Sequence, residues 1–107
     1  GMTFKENVAD IRNSKVVDII NELKDFGVDV DVVDAHADSE EVKQMYGFGL
    51  IEKPRNNYDA VIVAVSHDAY KELDEKYFKA LTYENAVLVD VKGMYRGRIN
   101  ELKYWSL

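Results

Sequence analysis

Apolar side chains recur at helical spacing between Val16 and Phe26. This period predicts an amphipathic helix with one face in the core. Asn13 or Ser14 can cap its first turn, because a short side-chain oxygen accepts a hydrogen bond from a free amide. Gly27 suits the left-handed conformation in which many helices end. The segment is therefore predicted as the first complete helix of the chain.

Strand-like patterns occur in five segments: residues 2–4, 28–33, 60–65, 86–91 and 104–107. Residues 28–33 alternate apolar and acidic side chains, which is the period of a strand with one exposed face. Residues 60–65 are continuously apolar and residues 86–91 nearly so, as is typical of parallel strands that are covered on both faces. We therefore predict buried parallel strands at these two segments.

Two further helices are predicted between the strands. Asp38 begins a capping box for a short helix that ends at Gly47. Asp68 can cap a helix that reaches about Leu81. Residues 48–58 look like a surface connection with little regular structure.

The alternation of strands and helices predicts an α/β fold: a single three-layer Rossmann-like domain, residues 1–107, with a mostly parallel sheet. Ligands of such folds bind outside the carboxyl ends of the strands. This rule selects the loops that follow Phe4, Val33, Val65 and Val91.

Composition narrows the classes of function. The 107 residues include 47% hydrophobic residues, which is enough for a core, and carry a net charge of −6. A negative charge disfavours nucleic acid and anionic membranes as partners. The absence of cysteine excludes disulfides, thiolate metal sites and cysteine nucleophiles from these residues. No apolar run is long enough to cross a bilayer, so we expect a soluble, cytoplasmic domain.

Cations lie in two of the loops that the strand rule selects. Lys5 and Arg12 flank a loop leading into a helix start, where free amides favour an anion. Lys92 and Gly93 follow the second buried segment, and the glycine permits a close backbone approach. Taken alone, the pattern favours solvated charges at Lys5 and Arg12 and leaves Lys92 open between a ligand contact and a solvated turn.

Other candidate sites are weaker. Asp34 lies where dinucleotide-binding folds place a ribose-binding carboxylate, but residues 5–10 contain no G-x-G-x-x-G loop. Asp34 is therefore interpreted as a strand-end or turn residue. His36 and His67 lack a second histidine at metal-ligand spacing, so no metal site is expected. Ser66 lacks the G-x-S-x-G elbow of a nucleophile. No catalytic residues are predicted within the chain.

The opening stretch, Gly-Met-Thr-Phe-Lys-Glu-Asn-Val-Ala-Asp-Ile-Arg-Asn-Ser-Lys, resembles the start of the C-terminal domain of the UDP-glucose/GDP-mannose dehydrogenase family. It is most similar to bacterial UDP-N-acetyl-hexosamine 6-dehydrogenases. The similarity continues through residues 16–20, the apolar strand 60–65, Val-Asp-Val-Lys-Gly at 89–93 and Tyr-Trp at 104–105. It therefore covers essentially the whole chain.

This resemblance implies a fragment of a longer, NAD-dependent enzyme that oxidises the C6 alcohol of a UDP-sugar to a carboxylate. The substrate would be a UDP-N-acetyl-hexosamine or a UDP-hexose, and the pathway would make a surface polysaccharide. The partners would be an N-terminal domain that holds most of the NAD and a central domain through which the full-length protein forms a homodimer or larger assembly. The missing domains carry the catalytic residues, so the fragment is expected to be inactive alone.

The resemblance also assigns roles to individual residues. Phe4 and Lys5 would contact the sugar nucleotide, and Arg12 would reach NAD. Lys92 matches a basic residue that follows the late strand and would be a second substrate contact, although Arg96 could serve instead. The alternative function is a stand-alone, non-catalytic nucleotide-binding or regulatory module. A receiver-type phosphorylation domain fits poorly, because the first predicted strand ends in Lys5 and not in an acidic cluster.

Overall fold

The elements of the chain follow from a computed structural model, which describes residues 1–107 and separates them into two compact units, residues 1–54 and 55–107. The helices are α1 (Lys15–Asp25), α2 (Ser39–Tyr46) and α3 (Glu75–Leu81), with one 3₁₀ turn at Asp68–Tyr70. The strands are β1 (Tyr58–Val63), β2 (Thr82–Asp90) and β3 (Lys103–Ser106). No helix has the length and apolar character needed to span a membrane.

All three strands belong to residues 55–107 and form one parallel sheet in the order β1-β2-β3. Val61, Leu88 and Tyr104 lie in register across it. Their face packs against a buried cluster that includes Phe78 from α3 and Tyr95 from the loop after β2. The predicted α/β class with a parallel sheet is confirmed, as are the strands near 60–65, 86–91 and 104–107.

Residues 1–54 contain α1, α2 and irregular segments around their own apolar cluster. Met2 and Ile11 from the opening stretch join Val17 and Ile20 of α1 in this cluster. The prediction of α1 is confirmed, and Gly27 follows it with a positive φ of 83°. The prediction of α2 is also confirmed: Asp38 caps it by accepting bonds from two amides, and Gly47 ends it.

The predicted strands at residues 2–4 and 28–33 are wrong, because neither segment gains a neighbouring strand. The amides of Met2 and Thr3 bond to the side chain of Asp34 instead of a strand backbone. Around residues 28–33, the Val28 amide still caps α1, and the Val32 carbonyl accepts one bond from Ile51. One backbone bond does not make a ladder, so a strand-like period alone does not produce a strand.

Two predictions of capping also need correction. Ser14 occupies the N-cap of α1, but its hydroxyl donates to the Met2 carbonyl and makes no cap bond. The helix predicted from Asp68 to Leu81 is interrupted: Asp68 begins only the 3₁₀ turn, and Asp74 caps α3 by accepting from the Tyr77 amide. The helix end near Leu81 is as predicted.

Candidate functional site

The opening stretch folds into a closed loop. The Phe4 amide donates to the Asp10 carbonyl at 2.8 Å and joins the two ends of the loop. Within it, the Thr3 hydroxyl donates to the Lys5 carbonyl at 2.8 Å. These bonds satisfy buried polar groups and fix the backbone on which Phe4 and Lys5 stand.

The base of this loop is anchored in the core of residues 1–54. Met2 is fully buried, and its carbonyl accepts a bond from the Ser14 hydroxyl. On the other side of the loop, the Tyr46 hydroxyl donates to the Ile11 carbonyl. Anchors at both ends leave little freedom to the backbone between them.

Asp34 joins the opening stretch to a segment more than 30 residues later. One carboxylate oxygen accepts from the amides of Met2 at 2.7 Å and Thr3 at 3.3 Å. The other accepts from the amides of His36 at 2.8 Å and Ala37 at 2.9 Å. The interpretation of Asp34 as a turn residue holds for its second oxygen, while its first oxygen orients the opening loop.

Phe4 and Lys5 project from this fixed backbone into solvent. The Phe4 side chain is 55% exposed although it is aromatic. Lys5 is exposed, and its ammonium group has no ion-pair or hydrogen-bond partner in the structure. An ammonium without a partner on an ordered loop is available to an anionic ligand.

Arg12 differs from Lys5 because it is already paired. Its guanidinium binds the Asp10 carboxylate through two bonds of 3.0 and 3.1 Å, and its side chain remains 75% exposed. These bonds raise the pKa of Arg12 and lower the pKa of Asp10. The pair holds the guanidinium in one orientation through Nε and Nη2, and Nη1 makes no bond to Asp10. An open cleft of about 260 Å³ is lined by residues that follow Arg12 and by α2: Asn13, Ser14, Lys15, Val17, Asp18 and Tyr46.

The loop after β2 is built around a buried carboxylate. Asp90 is fully buried, and its oxygens accept from the amides of Met94 at 3.0 Å and Tyr95 at 2.8 Å. The Tyr104 hydroxyl donates to the same carboxylate. Burial, and after it this bond, raises the pKa of Tyr104. The Gly93 amide donates to the Asp90 carbonyl at 3.1 Å and completes the turn.

Lys92 lies at the exposed tip of this turn, and its ammonium group has no partner in the structure. Gly93 follows it with a φ of 71°, a conformation that favours glycine. Arg96 covers Gly93 so closely that an added Cβ would lie 2.8 Å from the guanidinium carbon. The same guanidinium donates to the Ser106 hydroxyl and the Leu107 carbonyl. Arg96 is thus engaged within the fold, whereas Lys92 is not.

The remaining candidates have structural surroundings. Arg98 lies over the Tyr95 ring at 5.0 Å and donates to the carbonyls of Lys71 and Met94. His67 is fully buried with its ring against that of Tyr70. The side chains of the chain form no group of three or more that could hold a metal ion.

The roles of Asp34 and Asp90 were not predicted from the sequence. Both act on the backbone of a cation-bearing loop, and both use side-chain oxygens to accept amide bonds. For Asp90 a signal existed, since an aspartate interrupts an otherwise apolar strand. For Asp34 the partners lie too far away in the sequence to be predicted from it.

Comparison with known proteins identifies the family. Residues 1–97 match the model of the UDP-glucose/GDP-mannose dehydrogenase family, UDP binding domain. The chain is 39% identical to a UDP-N-acetyl-D-glucosamine 6-dehydrogenase of Salmonella typhi over 93 residues, 86% of the chain and 22% of that protein. It is 42% identical to Protein CapL of Staphylococcus aureus over 95 residues, 88% of the chain and 22% of that protein. The chain thus spans about a fifth of the length of these relatives.

A solved structure shows the same fold. The UDP-N-acetyl-mannosamine dehydrogenase Cap5O from Staphylococcus aureus superimposes with a TM-score of 0.74 at 22% identity. The match covers 99% of this chain and 24% of that protein. The match to the family model over residues 1–97 shows that the chain belongs to the UDP-glucose/GDP-mannose dehydrogenase family and corresponds to its UDP-binding domain.

Proposed function

We propose that the chain binds the UDP part of a sugar nucleotide as one domain of a longer, NAD-dependent UDP-sugar 6-dehydrogenase. The observation that carries this proposal is the unpaired ammonium of Lys5 on a closed, anchored loop. A diphosphate must approach a chain whose net charge is −6, so a few fixed cations have to outweigh the general field locally. A cation that stands on a fixed backbone and carries no internal partner meets this need.

Within the opening loop, Lys5 and Phe4 would contact different parts of the ligand. Charge-assisted bonds from an ammonium to phosphate oxygens contribute on the order of 1.5–3 kcal/mol each. The exposed Phe4 ring offers an apolar surface beside that charge, which suits the uncharged part of a nucleotide sugar. Both residues are therefore proposed as substrate contacts.

Lys92 is proposed as a further substrate contact, in preference to Arg96. The Arg96 guanidinium donates hydrogen bonds to the Ser106 hydroxyl and the Leu107 carbonyl, and these bonds would break if it turned to a ligand. Lys92 needs no such rearrangement, because nothing in the fold binds its ammonium group.

Arg12 is proposed as a contact to NAD. Its pairing with Asp10 uses Nε and Nη2 and fixes the planar guanidinium, and the 75% exposed side chain keeps Nη1 for a pyrophosphate oxygen without breaking the pair. Most of the NAD would be held by an N-terminal domain, and this chain supplies neither a glycine-rich loop nor a cysteine. We therefore propose that oxidation of the sugar requires the rest of a cytoplasmic enzyme, assembled as a homodimer or larger.

The proposal is tested by measuring the affinity of the 107-residue chain for UDP and for uridine. Because the other domains contribute no contacts, we expect weak UDP binding, roughly millimolar. Uridine should bind more weakly still, and Lys5→Ala should reduce UDP affinity about tenfold while leaving uridine affinity unchanged. Lys43→Ala is the matched control, since Lys43 is an exposed lysine of the same unit outside the opening loop. Equal losses in Lys5→Ala and Lys43→Ala would contradict the proposal.

The assignment of Arg12 is tested in the full-length enzyme. Arg12→Ala should raise the apparent KM for NAD, and Lys5→Ala should raise that for the UDP-sugar. A change of less than about twofold in both constants would exclude the two residues from their proposed roles.

A further inference from the structure

We propose that Asp90 is a positioning residue for Lys92: its buried carboxylate holds the loop in the one geometry in which Lys92 can meet a phosphate. This inference rests on the proposed function, because it concerns the contact that Lys92 makes. It gives a role in ligand binding to the Asp90 carboxylate, which is fully buried and cannot contact a ligand directly.

The bonds of Asp90 close the loop around Lys92, because Asp90 precedes the lysine and all of the bonded amides follow it. The Asp90 carbonyl accepts the Gly93 amide in a tight turn. The Asp90 carboxylate accepts the amides of Met94 and Tyr95. One residue therefore sets the path of the backbone over the next five positions, and Lys92 lies inside that span.

The charge of Asp90 is costly to bury, which argues against a role in stability alone. No lysine, arginine or histidine pairs with it, and its bonds come from neutral groups: two amides and the Tyr104 hydroxyl. A buried charge without a counter-charge is often no better for stability than a neutral group of similar shape. Its specific effect here is geometric, since a carboxylate can accept from two successive amides at once.

Lys92 gains from this arrangement because its ammonium group is not bound to the carboxylate. The carboxylate oxygens are occupied by donors of the later residues, and Lys92 makes no ion pair with Asp90. The lysine is thus held near a fixed backbone while its ammonium group remains available. Preorganised contacts of this kind lose less entropy when a ligand binds.

The test compares two substitutions that remove bonds from the same carboxylate site. Asp90→Asn keeps the shape but replaces one accepting oxygen with an NH₂ group, so one of the two backbone amides loses its acceptor. Tyr104→Phe removes only the hydroxyl donor and leaves both amides bonded. We expect Asp90→Asn to weaken UDP binding about fivefold, and Tyr104→Phe to change it by less than about twofold, at equal folded fractions.

NMR adds a readout that a general loss of stability would not produce. The amide signals of Met94 and Tyr95 should shift in Asp90→Asn but stay near their wild-type positions in Tyr104→Phe. Wild-type UDP affinity in Asp90→Asn would overturn the inference. So would equal losses in both variants, because they would indicate general loosening.

A second measurement covers the case in which Asp90→Asn does not fold. Backbone ¹⁵N order parameters of residues 91–95 in the wild-type chain should be near the rigid value of about 0.85, and values below about 0.6 would overturn the inference. Lys92→Ala separates this inference from the proposed function. If UDP affinity is insensitive to Lys92→Ala, the proposed contact itself is wrong; if Lys92→Ala weakens binding and Asp90→Asn does not, only the positioning role is wrong.

Discussion

Asp34→Asn tests how the opening loop is held. The carboxylate uses one oxygen for the amides of Met2 and Thr3 and the other for those of His36 and Ala37. Asparagine has only one accepting oxygen, and its NH₂ group would point at two amide donors. Whichever way the amide turns, one pair of bonds is lost.

The expected cost follows from these bonds. A hydrogen bond to a charged group contributes about 1.5–3 kcal/mol, and Asp34 is half-buried, so the lower part of that range applies to each lost bond. Met2 and Thr3 are buried, which prevents water from replacing the lost acceptor. We therefore expect Asp34→Asn to lower the free energy of unfolding by about 2–4 kcal/mol.

Asp38→Asn is a matched control for this substitution. Asp38 also accepts two backbone amides, from Glu40 and Glu41, but it does so with a single oxygen. Asparagine caps helices as well as aspartate, so the control should cost less than about 0.5 kcal/mol. Urea denaturation followed by far-UV circular dichroism measures both variants, with equal m-values required for the comparison. A cost below about 0.5 kcal/mol for Asp34→Asn would refute the role of Asp34 in holding the loop.

Two further predictions concern residues 55–107. The Glu75 carboxylate accepts the amides of residues 100–102, above all that of residue 101, and these bonds lower its pKa. The stability that the Glu75 carboxylate adds is therefore present above its unfolded-state pKa and is lost as pH falls through its lower folded-state pKa. In Glu75→Gln, acid denaturation curves should lack this loss of stability. An acid denaturation curve unchanged from wild type would contradict the role of Glu75. Gly93→Ala should cost about 1–2 kcal/mol for the left-handed backbone, and more while Arg96 is present because the new Cβ displaces its guanidinium. In a double-mutant cycle, the cost of Gly93→Ala should fall in the Arg96→Ala background, and purely additive costs would show that the two residues do not interact.

The sequence predicted the features that depend on neighbouring residues. Helices α1 and α2 have a clear apolar period, and Asp38 and Gly47 mark the ends of α2 by local chemistry. Strands β1 and β2 were recognisable because buried parallel strands are apolar on both faces. These signals act over a few residues and do not depend on distant partners.

Features that depend on distant partners could not be predicted. Residues 28–33 have the period of a strand, but a strand also needs a neighbouring strand, and the only sheet of the structure is formed by β1, β2 and β3. The helix predicted from Asp68 is divided because Asp74 caps α3 with its side chain, while Asp68 begins only a 3₁₀ turn. Both outcomes were decided by competition between local signals and the rest of the fold.

From the sequence, only the exposed cationic residues of the candidate site were predicted. The motif indicated Lys5, Arg12 and Lys92, but not the aspartates that hold the loops of the two lysines. Asp34 acts on the opening loop through bonds across more than 30 residues, and Asp90 acts through amides four and five residues later. From the sequence, Lys92 was the preferred second substrate contact and Arg96 remained an alternative. Its contacts with Ser106 and Leu107 separate the two, because they occupy one guanidinium and leave the ammonium available.

The most direct test of UDP binding is a ¹H–¹⁵N NMR titration of the 107-residue chain with UDP at low salt. We predict saturable shifts of the amides in residues 3–12 and 91–96, with a dissociation constant of roughly one millimolar and a weaker response when salt is raised. Most of these shifts should be absent in a titration with uridine. Shifts confined to other residues, or no shifts at several times that concentration, would contradict the account.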